Sequence, residues 1–211
     1  MGKVQYIKKA RKQWKCNKCL SIIEVGESYY KGEINFGPTI VRCTKCRLQH
    51  WEVTTSEYSL RVGEFVNTWA DEADLHDGLP EELASELEGI RDEVQERLDN
   101  MPEQLQYSPT GELLQERIDA LESAQSDLEC IDVDDIKRSA VEDVMSDLIA
   151  EYVDAHPEVD EDDASTHFED MDYDELMESD EVSDDIKDKM REAFEDGLTE
   201  AINDILEQLE Y

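Results

Sequence analysis

The chain has 211 residues, of which 36% are charged and only 7% aromatic; 56 Asp and Glu stand against 20 Lys and Arg, a formal net charge of -36. So much charge with so few aromatics excludes one large hydrophobic core, and no apolar run approaches the roughly 18 residues of a membrane span. The opening MGKVQYIKKARKQW lacks the apolar stretch and cleavage site of a secretory signal, so the expectation is a cytoplasmic protein with no membrane contact.

The charge divides the chain. Residues 1–69 hold 12 Lys and Arg against 6 Asp and Glu, a net of +6, whereas residues 70–211 hold 8 against 50, a net of -42. Two physically different modules are the simplest reading.

In the first module, Cys16-x2-Cys19 is followed 23 residues later by Cys43-x2-Cys46. In a reducing compartment, paired CxxC turns read as metal ligands before disulfides. Each pair forms a knuckle with two thiolates aimed at one ion, and two knuckles complete the closed tetrahedron of structural Zn2+. Lys15, Lys18, Arg42, Lys45 and Arg47 around them favour the thiolate form. His50 follows a set that is already complete and is expected on the surface. Between the knuckles, residues 27–32 and 35–41 read as short strands, with Gly and Pro at the turns. Thr54-x-x-Glu57 resembles a capping box, opening a helix whose Tyr58, Val62, Phe65, Val66 and Trp69 repeat at helical spacing. Trp51 and Trp69 read as core residues.

Lys8, Lys9, Arg11, Lys12, Lys15 and Lys18 form a basic run into the first knuckle, with Trp14 interleaved. Cations on a metal ribbon suit phosphate contacts, and an aromatic among them suits base stacking. The candidate partners are nucleic acid or another protein.

From Pro80 onward the periodicity is helical. Leu83, Leu87, Ile90, Val94, Leu98 and Met101 form one stripe, and Pro102 stops it. After a turn at Ser108-Pro109-Thr110-Gly111, a second stripe runs through Leu114, Ile118, Leu121, Gln125 and Leu128, suggesting an antiparallel helical hairpin or coiled coil. Each stripe is narrow, which points to partner helices or a homodimer. Ile136, Ala140, Val144, Leu148 and Tyr152 give a third helix ended by His156-Pro157. Ile186, Met190, Phe194, Ala201, Ile205 and Leu209 give a last one, capped at Ser183 or Asp184. Cys130 reads as a half-buried apolar residue.

Residues 154–185 hold 16 Asp or Glu and no Lys or Arg, and read as a solvated acidic linker. Asp170, Asp172, Asp174 and Glu181 have the spacing of a calcium loop, but Glu175 stands where that loop needs glycine, so no specific calcium site is expected. The fold class is therefore α+β: a basic four-cysteine zinc ribbon with a short helix over 1–69, an acidic helical hairpin and third helix over 80–153, a linker over 154–185, and an amphipathic helix over 186–211.

No HExxH, GxSxG or phosphate-cradling glycine motif occurs, and a closed four-thiolate site leaves no position for a reacting water, so an enzyme is not expected. A non-enzymatic accessory protein is one reading. The alternative is that carboxylates along the helices imitate the phosphates of a duplex and inhibit a host DNA- or RNA-binding enzyme.

The segment RKQWKCNKC…VGESYYKGEINFGPTIVRCTKC with TTSEY, and RDEVQERLDNMPEQLQYSPTGELLQERIDALES after it, resemble small zinc-ribbon proteins of phages and prophages. The resemblance covers roughly residues 10–131. It implies a ribbon followed by a helical hairpin, with Cys16, Cys19, Cys43 and Cys46 as metal ligands, and a phage-encoded protein in the host cytoplasm. It implies no activity.

Overall fold

The computed structural model describes residues 3–34, 37–72, 74–169 and 171–209. It has the expected α+β class: a small amino-terminal sheet region, then helices. The described residues fall into two compact units, one within 1–72, 90–117 and 209–211, the other within 73–89 and 118–208. The first unit thus extends beyond the expected 1–69.

In the first unit, β1 (Lys3–Ile7), β4 (Tyr29–Glu33) and β5 (Thr39–Cys43) form an antiparallel sheet in the order β1-β4-β5, with Ile7 opposite Tyr29 and Tyr29 opposite Cys43. A separate hairpin pairs β2 (Trp14–Lys15) with β3 (Ile22–Ile23). Asn35 and Phe36, on which part of the second strand was read, lie outside the described residues. Strand alternation decides which side chains meet. Tyr29 and Val41 pack with Ala10, Cys16 and Ile23 into a cluster flanked by Ile7 and Trp14. On the opposite face Gly32 has no side chain because Leu48 and Val53 sit there: a Cβ would lie 2.7 Å from Leu48 Cδ2 and 2.8 Å from Val53 Cγ2. The five-residue cluster on the knuckle side is too small to hold that face of the ribbon unaided.

Helix α1 (Glu57–Glu72) buries Tyr58, Val62, Phe65 and Trp69, one face at helical spacing. Its cap is Ser56, two residues past the expected Thr54: Ser59 N donates to Ser56 Oγ (3.3 Å), whereas Thr54 Oγ1 accepts from Ser56 N (3.1 Å) and makes only the preceding turn. Trp51 lies against Gly63, where a Cβ would meet Trp51 Cγ at 2.5 Å.

Helix α2 (Leu79–Asp99) buries Leu83, Leu87, Ile90, Val94 and Leu98 as expected, while Met101 falls past its end and is half-buried. A short α3 (Glu103–Gln106) follows, and the Gln106 amide donates to the carbonyls of Leu98 (3.2 Å) and Met101 (3.1 Å), closing the α2 carboxyl end. Pro109-Thr110-Gly111, expected as a turn, forms the first turn of α4 (Pro109–Glu129). Proline suits that position because its missing N–H has no intrahelical partner there. In the first unit Arg97 of α2 pairs with Glu57 of α1 (2.6 Å), and the Arg117 guanidinium of α4 lies 4.2 Å over the Tyr58 ring. Cys130, expected half-buried, is exposed just beyond α4.

The second unit centres on α5 (Val133–Ala155) and α8 (Asp184–Leu206), which cross closely enough that a Cβ on Gly197 would meet Ile136 Cγ2 at 3.0 Å. Ser183 caps α8. The buried stripe of α8 is Ile186, Met190, Phe194, Leu198, Ile202 and Leu206, so the expected Ala201 and Ile205 lie beside it instead. A strict step of four advances about 40° beyond a full turn each time. The stripe therefore winds round the helix and meets different neighbours along its length.

The expected acidic linker is a correction. Residues 154–185 contain α6 (Glu161–Phe168) and α7 (Tyr173–Glu178), with Asp160 and Asp172 as their N-caps. Ala164, Phe168, Tyr173, Leu176 and Val182 are buried. Five apolar anchors among sixteen acids suffice, because the carboxylates remain on the solvent side.

Candidate metal centre

Each cysteine pair sits in a knuckle whose backbone is fixed by local hydrogen bonds. In the first, between β2 and β3, Cys16 N donates to Ser21 O (2.9 Å) and Leu20 N to Cys16 O (3.1 Å). In the second, leaving β5, Cys46 N donates to Cys43 O (3.1 Å). The residue after the second cysteine is left-handed in both, Leu20 at φ 61° and Arg47 at φ 32°. That conformation turns the chain sharply enough for both sulfurs of a pair to face inward.

Asn17 joins the knuckles. Its backbone N–H donates to Val41 O (2.8 Å), and its side-chain Oδ1 accepts from Val41 N (2.6 Å), so it pairs with β5 as a strand residue would. Cys43 N also donates to Cys16 Sγ (3.4 Å). Sequence reasoning missed Asn17, since an asparagine inside CxxC gives no periodic signal.

The result brings the ligand atoms of Cys16, Cys19, Cys43 and Cys46 within 4.8 Å of one another, with Cys19 Sγ 3.7 Å from Cys43 Sγ. A tetrahedral ion with metal–sulfur bonds of about 2.3 Å needs sulfur–sulfur edges of about 3.8 Å. A disulfide needs about 2.05 Å. The spacing fits one shared ion.

The electrostatics agree. Ser21, through its hydroxyl (Oγ 3.0 Å from Sγ) and then its N–H, pulls the Cys19 thiol down to about 6. Burial opposes ionisation of Cys16, yet the N–H groups of Cys19, Cys43 and Lys18 outweigh it and its pKa falls. Cys46 is pushed up to about 12, first by its hydrogen bond with Cys19 and then by that with Cys43. Crowded thiolates repel, and the last keeps its proton unless a cation compensates.

The basic residues singled out in the sequence lie on the segment between β1 and β2, on β2 and in the first knuckle. Lys8, Lys9, Arg11, Lys12, Lys15 and Lys18 are all exposed. Trp14 is half-buried against the core, with Lys12 Nζ 4.2 Å over its ring and Tyr29 at 5.9 Å, so it packs rather than offering an open stacking face. His50 is exposed, as expected.

In the second unit the calcium-like spacing forms no loop. Asp170 lies outside the described residues, while Asp172 caps α7 in a capping box. Asp174 pairs with Lys137 (2.8 Å), and Glu181 lies 2.8 Å from His167 Nε2. Lys137 is buried, also pairs with Asp77 (2.7 Å), and lies 5.5 Å over the Tyr173 ring. No helix of the described residues is long and apolar enough to cross a membrane.

No protein-family model, curated protein or solved structure matches the chain.

Proposed function

We propose that this is a non-enzymatic accessory protein, encoded by a phage or prophage and working in the host cytoplasm, whose ribbon is organised by structural Zn2+ and contacts nucleic acid. Four soft thiolates in one small tetrahedron suit zinc, and a closed set leaves the ion no open position for catalysis. The phage assignment rests on the resemblance of residues 10–131.

The observation behind the nucleic-acid reading is how cations are paired. In the helical remainder Arg91, Arg97, Lys137, Arg138, Lys189 and Arg191 each have a carboxylate partner. On the ribbon, Lys8, Lys9, Arg11, Lys15 and Lys18 have none among the described residues. Cations left free are the groups that release counterions from phosphate. At about 0.1 M salt charges are screened over about 10 Å, so this local field outweighs the net charge of the chain in making a contact.

The test uses full-length protein. Elemental analysis is expected to find one zinc per chain, and labelled DNA and RNA to bind with an affinity that falls steeply with salt. Absence of binding at about 50 mM salt, where phosphate contacts are strongest, defeats the nucleic-acid reading.

A second reading draws on the helices. With 50 acids against 8 bases over 70–211, and most of those bases already neutralised, they present a field fit to occupy a basic groove on a host nucleic-acid enzyme. Displacement of duplex DNA from such an enzyme by the full chain would favour it.

A further inference from the structure

A cleft of about 760 Å³ opens beside the metal centre. Its wall carries Lys8 and Lys45, the hydroxyl residues Ser21, Ser28 and Thr44, and the aliphatic Ile22; Cys19 and Cys43 also line it. The two lysines come from different parts of the chain, Lys8 directly after β1 and Lys45 inside the second knuckle just after β5, and the β1-β4-β5 sheet sets them relative to each other. The carboxylate on this wall, Glu27, is turned to its own turn, accepting from Glu24 N (2.7 Å). Ile22 is 59% exposed, and Leu20 beside it is 61% exposed.

We propose that this cleft takes one nucleotide unit of a single-stranded nucleic acid, its phosphate between Lys8 and Lys45 and its base over Ile22. The inference rests on the nucleic-acid reading above and adds where the strand lies and of what kind it is. Two cations and three hydroxyls suit a phosphodiester. The volume lies in the range of small-ligand sites, about 300–1,000 Å³, so an unpaired nucleotide enters where a duplex backbone, held stiff by its partner strand, only passes over the rim. An exposed aliphatic side chain gives the base an apolar surface that phosphate contacts alone do not need.

The ligand would lie next to a metal thiolate. Ser21 both lines the cleft and touches Cys19 Sγ at 3.0 Å, so filling the cleft changes the hydrogen bond to a ligand sulfur. That gives the test a reporter which binding elsewhere does not move.

Full-length protein, with cobalt(II) in the four-cysteine site, is titrated with fluorescent oligothymidylate at low salt. The cobalt d–d bands are expected to shift as the oligonucleotide binds. Lys8→Ala with Lys45→Ala is expected to weaken binding about tenfold and to lower the salt slope by about 1.4, two contacts at about 0.7 each. Lys3→Ala with Arg61→Ala, the same charge removed from exposed positions of the first unit off the cleft wall, is expected to cost less than about threefold, since it removes only part of the diffuse field. If both pairs weaken binding equally and the bands stay still, the cleft assignment is wrong while the broader reading survives. If no oligonucleotide binds, both fall. If polyglutamate shifts the bands and competes with equal affinity, the cleft is a site for acidic protein and the nucleotide assignment is overturned.

Discussion

Leu20 and Arg47 are equivalents: each follows the second cysteine of its knuckle, and each is left-handed, at φ 61° and 32°. Neither is a glycine, although an L-residue in this conformation costs about 1–2 kcal/mol. Leu20 is largely exposed, so its side chain contributes little packing to offset that cost. Leu20→Gly is expected to leave the ribbon equally stable or up to about 1 kcal/mol more stable, whereas Leu20→Val, β-branched, should lose more than about 1 kcal/mol. Urea unfolding followed by near-ultraviolet circular dichroism compares the two. The reverse order would mean that the backbone at Leu20 is relaxed.

The metal makes a second prediction. Replacing Cys16 and Cys19 together by Ser should remove the single equivalent of zinc and unfold the β1–β5 region, since the apolar cluster around Cys16 has only five buried residues, one of them Cys16 itself. Far-ultraviolet circular dichroism should keep most of its helical signal from α5 and α8. Full zinc content in the double variant would refute the site.

Phe168 sits fully buried at the end of α6, in a stretch that composition describes as a tether. Tyr152 meets it edge-on, with ring centroids 5.1 Å apart. Phe168→Ala is expected to destabilise the second unit by about 3–5 kcal/mol. Thermal unfolding measures the loss; a cost below about 0.5 kcal/mol, the scale of a surface change, would return 154–185 to the status of a linker.

Lys137 predicts a pH dependence. Burial alone would lower its pKa, but hydrogen bonds to Asp174 and then Asp77 overcome this and raise it from 10.5 to about 12. A cation with a raised folded-state pKa contributes stability that is full below the unfolded value and lost as pH climbs through the folded one. The window therefore runs from about pH 10.5 to 12. Its carboxylate partners are exposed, so solvent screening reduces the contribution to about 1 kcal/mol. Wild type and Lys137→Met should differ in denaturant midpoint at pH 9 and converge near pH 12. A constant difference across that range would show that the ammonium charge is not what Lys137 contributes.

Gly63 tests the packing of α1 on the ribbon. An added methyl would meet Trp51 Cγ at 2.5 Å, so Gly63→Ala should cost about 1–3 kcal/mol despite the better helix propensity of alanine. Trp51 fluorescence should change with it. A stabilised variant would show that Trp51 moves aside freely.

The parts legible in the sequence are those set by spacing within one element. Four cysteines at doubled CxxC spacing did converge, and α2 and the first half of α8 buried the residues their periodicity indicated, whereas in α5 Ala140, Val144 and Leu148 are buried but Ile136 and Tyr152 only half-buried. Three features escaped because they depend on pairings across the chain. Asn17 clamps a strand 24 residues away, Lys137 is buried by carboxylates 60 and 37 residues away, and Trp14 is covered by Tyr29 and Lys12. The acidic stretch was misread for another reason. Charge density registers solvation on one face of a short helix but not the few apolar anchors on the other, so Phe168, Tyr173 and Leu176 were outvoted by their neighbours.

The second unit is drawn from two separated stretches, 73–89 and 118–208. Leu83 and Leu87 therefore leave the ribosome long before Leu198 and Ile202 exist, a lag on the order of ten seconds at about 5–20 residues per second. During that interval the nascent chain shows uncovered leucines while its cysteines are already able to capture metal. The metal knuckles, all within residues 16–46, can thus close early in synthesis, whereas the second unit waits for its 118–208 stretch, and a ribosome stalled between the two would hold a metal-loaded ribbon and an unfinished second unit.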